Sequence, residues 1–277
     1  MLALSQLAEI LPQVAQIAEK AGAAILEVYE TADVGQSLKA DASPVTHADL
    51  AADRLIVAAL AELMPGMPII SEESPQSTWA VRRGWTEHWL VDPLDGTKEF
   101  LARNGEFTVN IALVQQHVAR LGVVHLPVAG TTYRGLVGSG AWRSKSGDAQ
   151  QRIQAESTCC ARPRVLASRS HRNAALEALL ATLRKDLGDY ELLTAGSSLK
   201  FCRLAEGEAD LYPRLGPTSE WDTAAGQAVL EAAGGYVVTL AGEPLRYNSG
   251  DSFLNPHFLA YADASRGWLS LVNNDDG

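Results

Sequence analysis

Asp92 and Asp95 close the apolar run Trp89–Val91 in the segment WLVDPLDGTKEF, with only Pro93 and Leu94 between them. Proline fixes φ and removes a backbone donor, so the strand leading into Asp92 is expected to end or turn there. Gly96 then permits a tight backbone path, and Thr97 offers a hydroxyl. Two carboxylates forced this close repel unless a cation lies between them. Hard oxygen donors with room left for water suit Mg²⁺. An aspartate-rich turn that caps a helix would use the same residue types, and on DPLDGT alone it is the simpler reading. Three more segments change the weighing. Glu72 and Glu73 follow the apolar MPIIS, Asp222 stands at the start of the helical pattern WDTAAGQAVLEAAGG, and Asp49 sits in PVTHAD at the head of another helix. Asp49 and Asp222 each have a local explanation in the helix dipole. Four acid-bearing strand ends and helix starts in one chain are harder to explain one by one.

The composition limits what such a centre could serve. The chain has 277 residues, 33 Asp and Glu against 23 Lys and Arg, and a formal net charge of -10. That charge argues against a general nucleic-acid binder, which needs a basic face. An anionic substrate would need local cations or metal. With 47% hydrophobic and 20% charged residues the chain suits a folded protein with a sizeable core. Cys159, Cys160 and Cys202 are odd in number and form no CxxC, so neither a disulfide framework nor a zinc site is expected, and a reducing cytoplasm fits. The N-terminal MLALSQLAEILPQVAQ lacks a basic leader and reads as an amphipathic helix, and no apolar stretch reaches the ~18 residues of a membrane span.

Helical spacing runs from about Leu4 to Tyr29, through Leu7, Ile10, Leu11, Val14, Ile17, Ala18, Ala21 and Ile25. A second helix begins near Thr46 or His47 and stops at Pro65-Gly66. Short strands are expected at MPIIS and HWLVD, and apolar runs between turns from Phe107 to Ser144 predict antiparallel strands. From Arg164 onward strand and helix alternate. Strands are expected at Arg164–Ala167, Tyr190–Thr194, Ala209–Tyr212, Tyr236–Leu240 and Phe258–Ala260, and helices at Asn173–Leu183, Ser197–Glu206 and over SEWDTAAGQAVLEAAGG. The polar stretch Gly147–Pro163 is the best candidate for a joint. It would separate an N-terminal α+β domain (1–150) from a C-terminal α/β domain (151–277), with the site between them.

PVTHAD, SEES, DPLDGTKEF, GSSLKFCRLAEGEADLYPR and WDTAAGQAVLEAAGG, in this order from about residue 40 to 255, resemble the inositol monophosphatase superfamily of metal-dependent, lithium-sensitive phosphatases. The finer wording is DGTKEF with NGEFTVNIAL, GSSLKFC, and YPRLGPT ahead of WD. It is similar to the bacterial 3′(2′),5′-bisphosphate nucleotidase branch, which converts adenosine 3′,5′-bisphosphate to AMP and phosphate. The resemblance implies a layered αβαβα sugar-phosphatase fold. It also implies a metal set of Glu72, Asp92, the Leu94 carbonyl, Asp95 and Asp222, holding two or three Mg²⁺ ions. Glu72 and Thr97 would orient and activate the attacking water, with Asp49 polarising Thr97 or a ligand water. Glu73 is expected to be only a neighbour. Metals ~3.5–4 Å apart can clamp a phosphate, lower the pKa of a bound water and neutralise the leaving oxygen. Phosphate-monoester hydrolysis is extremely slow without such help, and no phospho-enzyme is required.

Substrate contacts are expected from Glu72, Leu94, Asp95 and Asp222, and from the backbone N–H groups of Gly96 and Thr97. Differences between the branches bear on which ester is bound. Inositol phosphatases carry an acid ahead of WD, roughly where this chain has Arg214, and no base in the Gly-Ser turn, where it has Lys200. A second phosphate needs cations away from the metals, which makes Lys200 and Arg214 its candidate holders. As solvated surface charges they would hold nothing. Gly196 and Ser197 open a helix whose N-terminus could meet ribose or phosphate. Ser168 and His171 are candidate linings of the nucleotide pocket, Trp221 is the tryptophan tied to the site by position, and Phe107 and Phe201 read as core. The expected activity is hydrolysis of the 3′-phosphate of adenosine 3′,5′-bisphosphate. The alternatives are an inositol- or sugar-phosphate phosphatase and a non-catalytic metal- or nucleotide-binding module. The expected partner is a small nucleotide bisphosphate, not a nucleic-acid polymer. The resemblance adds homodimers as a family habit and a cytoplasmic location, with any membrane association peripheral at the inner face.

Overall fold

The N-terminal apolar stripe forms one helix, α1 (Leu4–Tyr29), with Leu7, Leu11, Val14, Ala18, Ala21 and Ile25 buried. A two-stranded ribbon follows, β1 (Ser37–Leu38) with β2 (Pro44–Val45). Thr46 then caps α2 (His47–Leu63): its hydroxyl accepts from the Ala48 N–H, and Asp49 Oδ2 accepts from the Thr46 N–H at 2.7 Å. In this computed structural model, which describes residues 1–31, 34–38, 44–146, 148–155, 162–169 and 173–273, the two helices pack together on a seven-stranded sheet.

That sheet runs β3 (Ile69–Ser71), β4 (Glu87–Asp95), β5 (Thr108–Gln115), β6 (Val118–Leu126), β7 (Thr131–Leu136), β8 (Gly140–Lys145) and β9 (Gln151–Ile153), neighbours in that order. All pairs are antiparallel except β3 with β4. α3 (Trp79–Arg82) precedes β4 and α4 (Thr97–Leu101) follows it. Side chains alternate as a strand requires: Trp89 and Val91 join the core under α1 and α2, while Leu90 joins the core on the other face.

A second, mixed sheet has the order β11 (Glu191–Ala195), β10 (Arg164–Ser168), β12 (Leu211–Arg214), β14 (Phe258–Tyr261), β13 (Tyr236–Thr239). α5 (Ala174–Leu187) and α8 (Trp268–Asn273) cover its outer face, where Val165, Ala167, Leu211 and Leu259 meet Leu176, Leu180, Leu183 and Trp268. Between the two sheets lie α6 (Leu199–Ala205) and α7 (Ala224–Ala232), in one core with Leu90, Ala112 and Val124 from the large sheet and Leu166, Tyr212 and Phe258 from the small one. The layers are therefore α, β, α, β, α, as the resemblance implies. α7 sits so close to the large sheet that a Cβ on Gly122 would stand 2.3 Å from the Ala225 carbonyl oxygen, and one on Gly135 would stand 2.4 Å from Val229 Cα. Only glycine leaves room for that approach, which fixes the end of α7 beside Asp222.

Several local expectations differ from the structure. β4 does not stop at Pro93 but runs on to Asp95, and its register against β5 shifts between Asp92 and Asp95. Such a bulge tolerates the missing proline N–H. Residues three apart on a regular strand face opposite ways; the bulge cancels the alternation, and both carboxylates line one cavity. The helix expected over SEWDTAAGQ is a 3₁₀ turn, Glu220–Asp222, followed by α7. The helix expected from Ser197 begins at Leu199, leaving Gly196 and Ser197 ahead of it. The strand expected at Ala209–Tyr212 lies two residues later, which places Arg214 within β12. The polar stretch Gly147–Pro163 contains β9; Gly147, Cys159 and Cys160 lie outside the described residues, as does His171. Among the described residues no helix is long and apolar enough to cross a membrane.

Candidate active site

Three elements bring acids together. β3 ends at Ser71, and Glu72 opens the turn after it. Asp53, one helical turn beyond Asp49 on α2, accepts from Ser71 Oγ at 2.5 Å and from Ser74 Oγ at 2.9 Å, so that turn is tied to α2. The bulge of β4 supplies Asp92 and Asp95. The 3₁₀ turn supplies Asp222, whose Oδ2 accepts from the Ser219 N–H at 2.9 Å. One carboxylate oxygen from each of Glu72, Asp92 and Asp222 lies within 4.8 Å of the other two. Oxygens sharing one octahedral Mg²⁺ stand about 3 to 4 Å apart, so small adjustments suffice. Asp95 lines the same cavity, with its Oδ2 accepting from the Ser198 N–H at 2.7 Å and Asn110 Nδ2 at 3.3 Å. Leu94 lines it too, its N–H donating to Asp92 Oδ1 at 3.0 Å.

Thr97, at the start of α4 after the left-handed Gly96 (φ 92°), donates its hydroxyl to Asp49 Oδ1 at 3.2 Å. The other Asp49 oxygen takes the Thr46 N–H and hydroxyl at 2.7 and 2.6 Å. Asp49 thus caps α2 with one oxygen and meets Thr97 with the other.

The electrostatics of this group are those of crowded anions. Burial pushes the Asp92 carboxyl well above the usual carboxylate range, and Glu72, Asp95, Asp222 and Asp49 push it the same way. Burial likewise raises Asp222 well above its ordinary value, with Asp95 and Glu72 adding to the rise. Burial raises Asp95, although Lys200, Ser198 and Asn110 oppose it. A divalent cation reverses the sign of each such interaction. The donors are all oxygen, mutually repelling and converging on one point, so they fit a hard cation of the Mg²⁺ type.

The cavity, about 260 Å³, has a second wall built from the small sheet and α6. Lys200 and Arg214 line it and are only 4% and 8% exposed, so neither is a solvated surface charge. Lys200 Nζ donates to the Ser197 carbonyl at 2.6 Å and the Ala195 carbonyl at 3.3 Å, and lies 5.3 Å from the Tyr212 ring centroid. Burial lowers its pKa to about 8, against the pull of Asp95. Arg214 donates through Nη2 to the Pro217 carbonyl at 2.7 Å, while its buried Nε has no hydrogen-bond partner among the described residues. A buried N–H of this kind is a donor in want of an acceptor.

Ser168 and Ser197 also line the cavity. Gly196 is not on its wall: the Gly196 N–H donates to Glu106 Oε2 at 2.8 Å, and Ser197 Oγ donates to the Glu106 carbonyl at 2.9 Å. Glu73 and Trp221 are not on the wall either, and Trp221 packs on Phe253 with ring centroids 5.1 Å apart. Phe107 and Phe201 are core, and Phe201 also reaches the cavity. Sequence reasoning missed Asp53, Asn110, Ser198 and Glu106. Asp53 was accessible to it, being four residues after Asp49 on one helix face. Asn110 was not, because it meets the acids only through the pairing of Asp92 with Asn110 across β4 and β5.

A sequence profile of the inositol monophosphatase family matches residues 6–266. The 3′(2′),5′-bisphosphate nucleotidase CysQ of Escherichia coli (strain K12) is 50% identical over 250 residues, covering 90% of this chain and 98% of that protein. Among solved structures, CysQ from Bacteroides thetaiotaomicron, described as a bacterial member of the inositol monophosphatase family, superposes with a TM-score of 0.79 at 44% identity, covering 90% of this chain and 96% of that one. An inositol monophosphatase from Anabaena (Nostoc) superposes with a TM-score of 0.74 at 25% identity, covering 97% and 96%.

Proposed function

Because the chain belongs to the inositol monophosphatase family, we propose that it is a Mg²⁺-dependent 3′(2′),5′-bisphosphate nucleotidase, hydrolysing the 3′-phosphate of adenosine 3′,5′-bisphosphate to give AMP and phosphate. The observation that carries this reading is a single cavity with clustered carboxylates on one wall and two buried cations on the other. Two or three Mg²⁺ ions held by Glu72, Asp92, the Leu94 carbonyl, Asp95 and Asp222 would clamp the scissile phosphate, activate the attacking water and neutralise the leaving oxygen.

The chain's own residues do the rest. Asp49 accepts the Thr97 hydroxyl proton in a hydrogen bond, which leaves the Thr97 oxygen lone pairs free to accept from water. Thr97 and Glu72 then orient that water in line with the ester bond, a positioning effect. Gly96 and Thr97 present the backbone to the phosphate oxygens. Hydrolysis adds water across the 3′ P–O bond, with hydroxyl going to phosphorus and a proton to the ribose 3′-oxygen. Lys200 and Arg214 hold the 5′-phosphate, which gives the unpartnered Arg214 Nε an acceptor. Ser168 and Ser197 border the nucleoside. We place the site at the seam of two halves, 1–150 and 151–277, each built around one sheet except that β9 (Gln151–Ile153) of the second half completes the sheet of the first. We assign the enzyme to the cytoplasm, with any membrane contact peripheral at the inner face, a homodimer as its assembly, and no nucleic-acid polymer as partner.

The test is product identification by chromatography after incubation with adenosine 3′,5′-bisphosphate, with Mg²⁺ and with EDTA. The expected product is adenosine 5′-phosphate, formed only with Mg²⁺. Adenosine 3′-phosphate as product would place the wrong ester at the acids and overturn the assignment of Lys200 and Arg214.

A further inference from the structure

The turn that carries Asp222 is laced along one side by the segment 248–255. The Asn255 N–H donates to the Thr218 carbonyl at 2.9 Å, and Asn255 Nδ2 donates to the Ser219 carbonyl at 2.7 Å and the Thr223 hydroxyl at 3.0 Å. The Glu220 N–H donates to the Phe253 carbonyl at 2.8 Å, and the Asn248 N–H donates to Glu220 Oε2 at 2.7 Å. Ser219, held this way, donates its own N–H to the Asp222 carboxylate. The position of the segment 248–255 therefore fixes the direction of Asp222.

What fixes that segment is Arg82, the last residue of α3, more than 160 positions earlier in the chain. Its Nη1 donates to Asn248 Oδ1 at 2.7 Å and to the Gly250 carbonyl at 2.8 Å, and its Nη2 donates to the Asp251 carbonyl. Asn248 Nδ2 returns a bond to the Arg82 carbonyl at 2.7 Å. The guanidinium lies 4.1 Å from the Phe253 ring centroid and 4.9 Å from that of Trp79. The Arg82 side chain is 2% exposed, while its ion-pair partner Asp251, at 3.6 Å, is 83% exposed. A buried guanidinium held by carbonyls and ring faces, with the Glu220 carboxylate near enough to feel its charge, is a costly way to close a loop. What the planar fork adds is geometry, because its donors accept only one arrangement of oxygens. Asn248 is itself in the left-handed region (φ 49°), so the path of the chain there is specified.

We propose that Arg82 is a positioning residue for the metal centre. Through Asn248 and the segment 248–255 it clamps the Glu220–Asp222 turn and sets the Asp222 carboxylate against Glu72 and Asp92. The proposal rests on the metal-site reading above.

The test is calorimetric titration of MgCl₂ into the full chain, comparing wild type with Arg82→Gln and Asn248→Gly. Asn248→Gly keeps the left-handed backbone and the N–H bond to Glu220 and removes only the side-chain link to Arg82, so it decides the matter even where Arg82→Gln fails to fold. Each variant should bind Mg²⁺ about tenfold more weakly, the lower end for loss of a group behind a metal ligand. The double variant should fall within about threefold of the weaker single one, because both act on one linkage. Raising Mg²⁺ should restore kcat in variants that far-UV circular dichroism shows to be fully folded before Mg²⁺ is added, since Mg²⁺ would also rescue a merely unstable fold by mass action. Wild-type Mg²⁺ affinity in both variants, whatever their melting temperatures, overturns the clamp alone. A wild-type chain that binds no Mg²⁺ overturns the metal-site reading and the clamp with it.

Discussion

The two walls of the cavity solve opposite problems. On the acidic wall like charges are crowded, and the surrounding donors fix their direction without cancelling them: Ser198 and Asn110 on Asp95, Leu94 on Asp92, Ser219 on Asp222. On the cationic wall Lys200 is already satisfied by two carbonyls, while Arg214 keeps a buried N–H without an acceptor among the described residues. The acidic wall is thus built to be completed by a cation and the cationic wall by an anion. Divalent metal on the first wall and the second phosphate of a bisphosphate ester against the other would meet the two demands together.

The largest effect should come from Asp92→Asn. The variant keeps an oxygen for the Leu94 N–H but loses the charge, and kcat/KM with Mg²⁺ should fall at least about 10³-fold, the upper range for one group that stabilises transition-state charge. Its metal-free form should melt higher than wild type, because the raised pKa of Asp92 marks a carboxylate that destabilises the fold at neutral pH. A lower metal-free melting temperature, read by calorimetry, would break the picture of crowded anions.

On the other wall, Lys200→Met and Arg214→Met should each raise KM for adenosine 3′,5′-bisphosphate about 10- to 100-fold, the worth of a hydrogen bond to a charged group. KM for adenosine 3′-monophosphate should change little, since it brings no 5′-phosphate. Equal losses on both substrates would show that the two cations shape the cavity without reading the second phosphate.

A pH effect separates the scaffold from the site. His88, on β4, has both ring nitrogens buried and without a hydrogen-bond partner among the described residues, and burial lowers its pKa to about 4, with His117 and Arg82 adding to the fall. The unfolded chain takes up the proton near pH 6.5 and the folded chain only near 4. The contribution of His88 to stability is therefore constant above 6.5, falls by about 3 kcal/mol between 6.5 and 4, and is flat below. Urea unfolding across that window should show a shallower pH slope for His88→Gln; parallel slopes would contradict the assignment.

The smallest effect is expected from Glu73→Gln. Glu73 adjoins Glu72 in sequence but does not line the cavity, so kcat/KM should change less than about twofold. A loss like that of Asp92→Asn would move Glu73 into the metal set.

The same two walls differ in how far they could be read from sequence. Glu72, Asp92, Asp95 and Asp222 are legible because acids at strand ends and helix starts stand out against apolar runs, and α1 and α2 because their apolar spacing is regular. The bulge that turns Asp92 and Asp95 to one cavity was not legible, since it depends on register against β5. Lys200 and Arg214 could be named but not seen as buried, because burial of a cation is decided by strands and helices far away in sequence. Gly196 shows the reverse: its position ahead of a helix suggested a free donor, and Glu106, 90 positions earlier, takes that donor.

The most direct test of the account is kcat/KM, with saturating Mg²⁺, for adenosine 3′,5′-bisphosphate, inositol 1-phosphate and fructose 1,6-bisphosphate. The expected result is a preference of at least about 100-fold for the nucleotide, the worth of two charged contacts to its second phosphate, and no turnover of any ester with EDTA. A preference for inositol 1-phosphate, or equal turnover of all three, would contradict it.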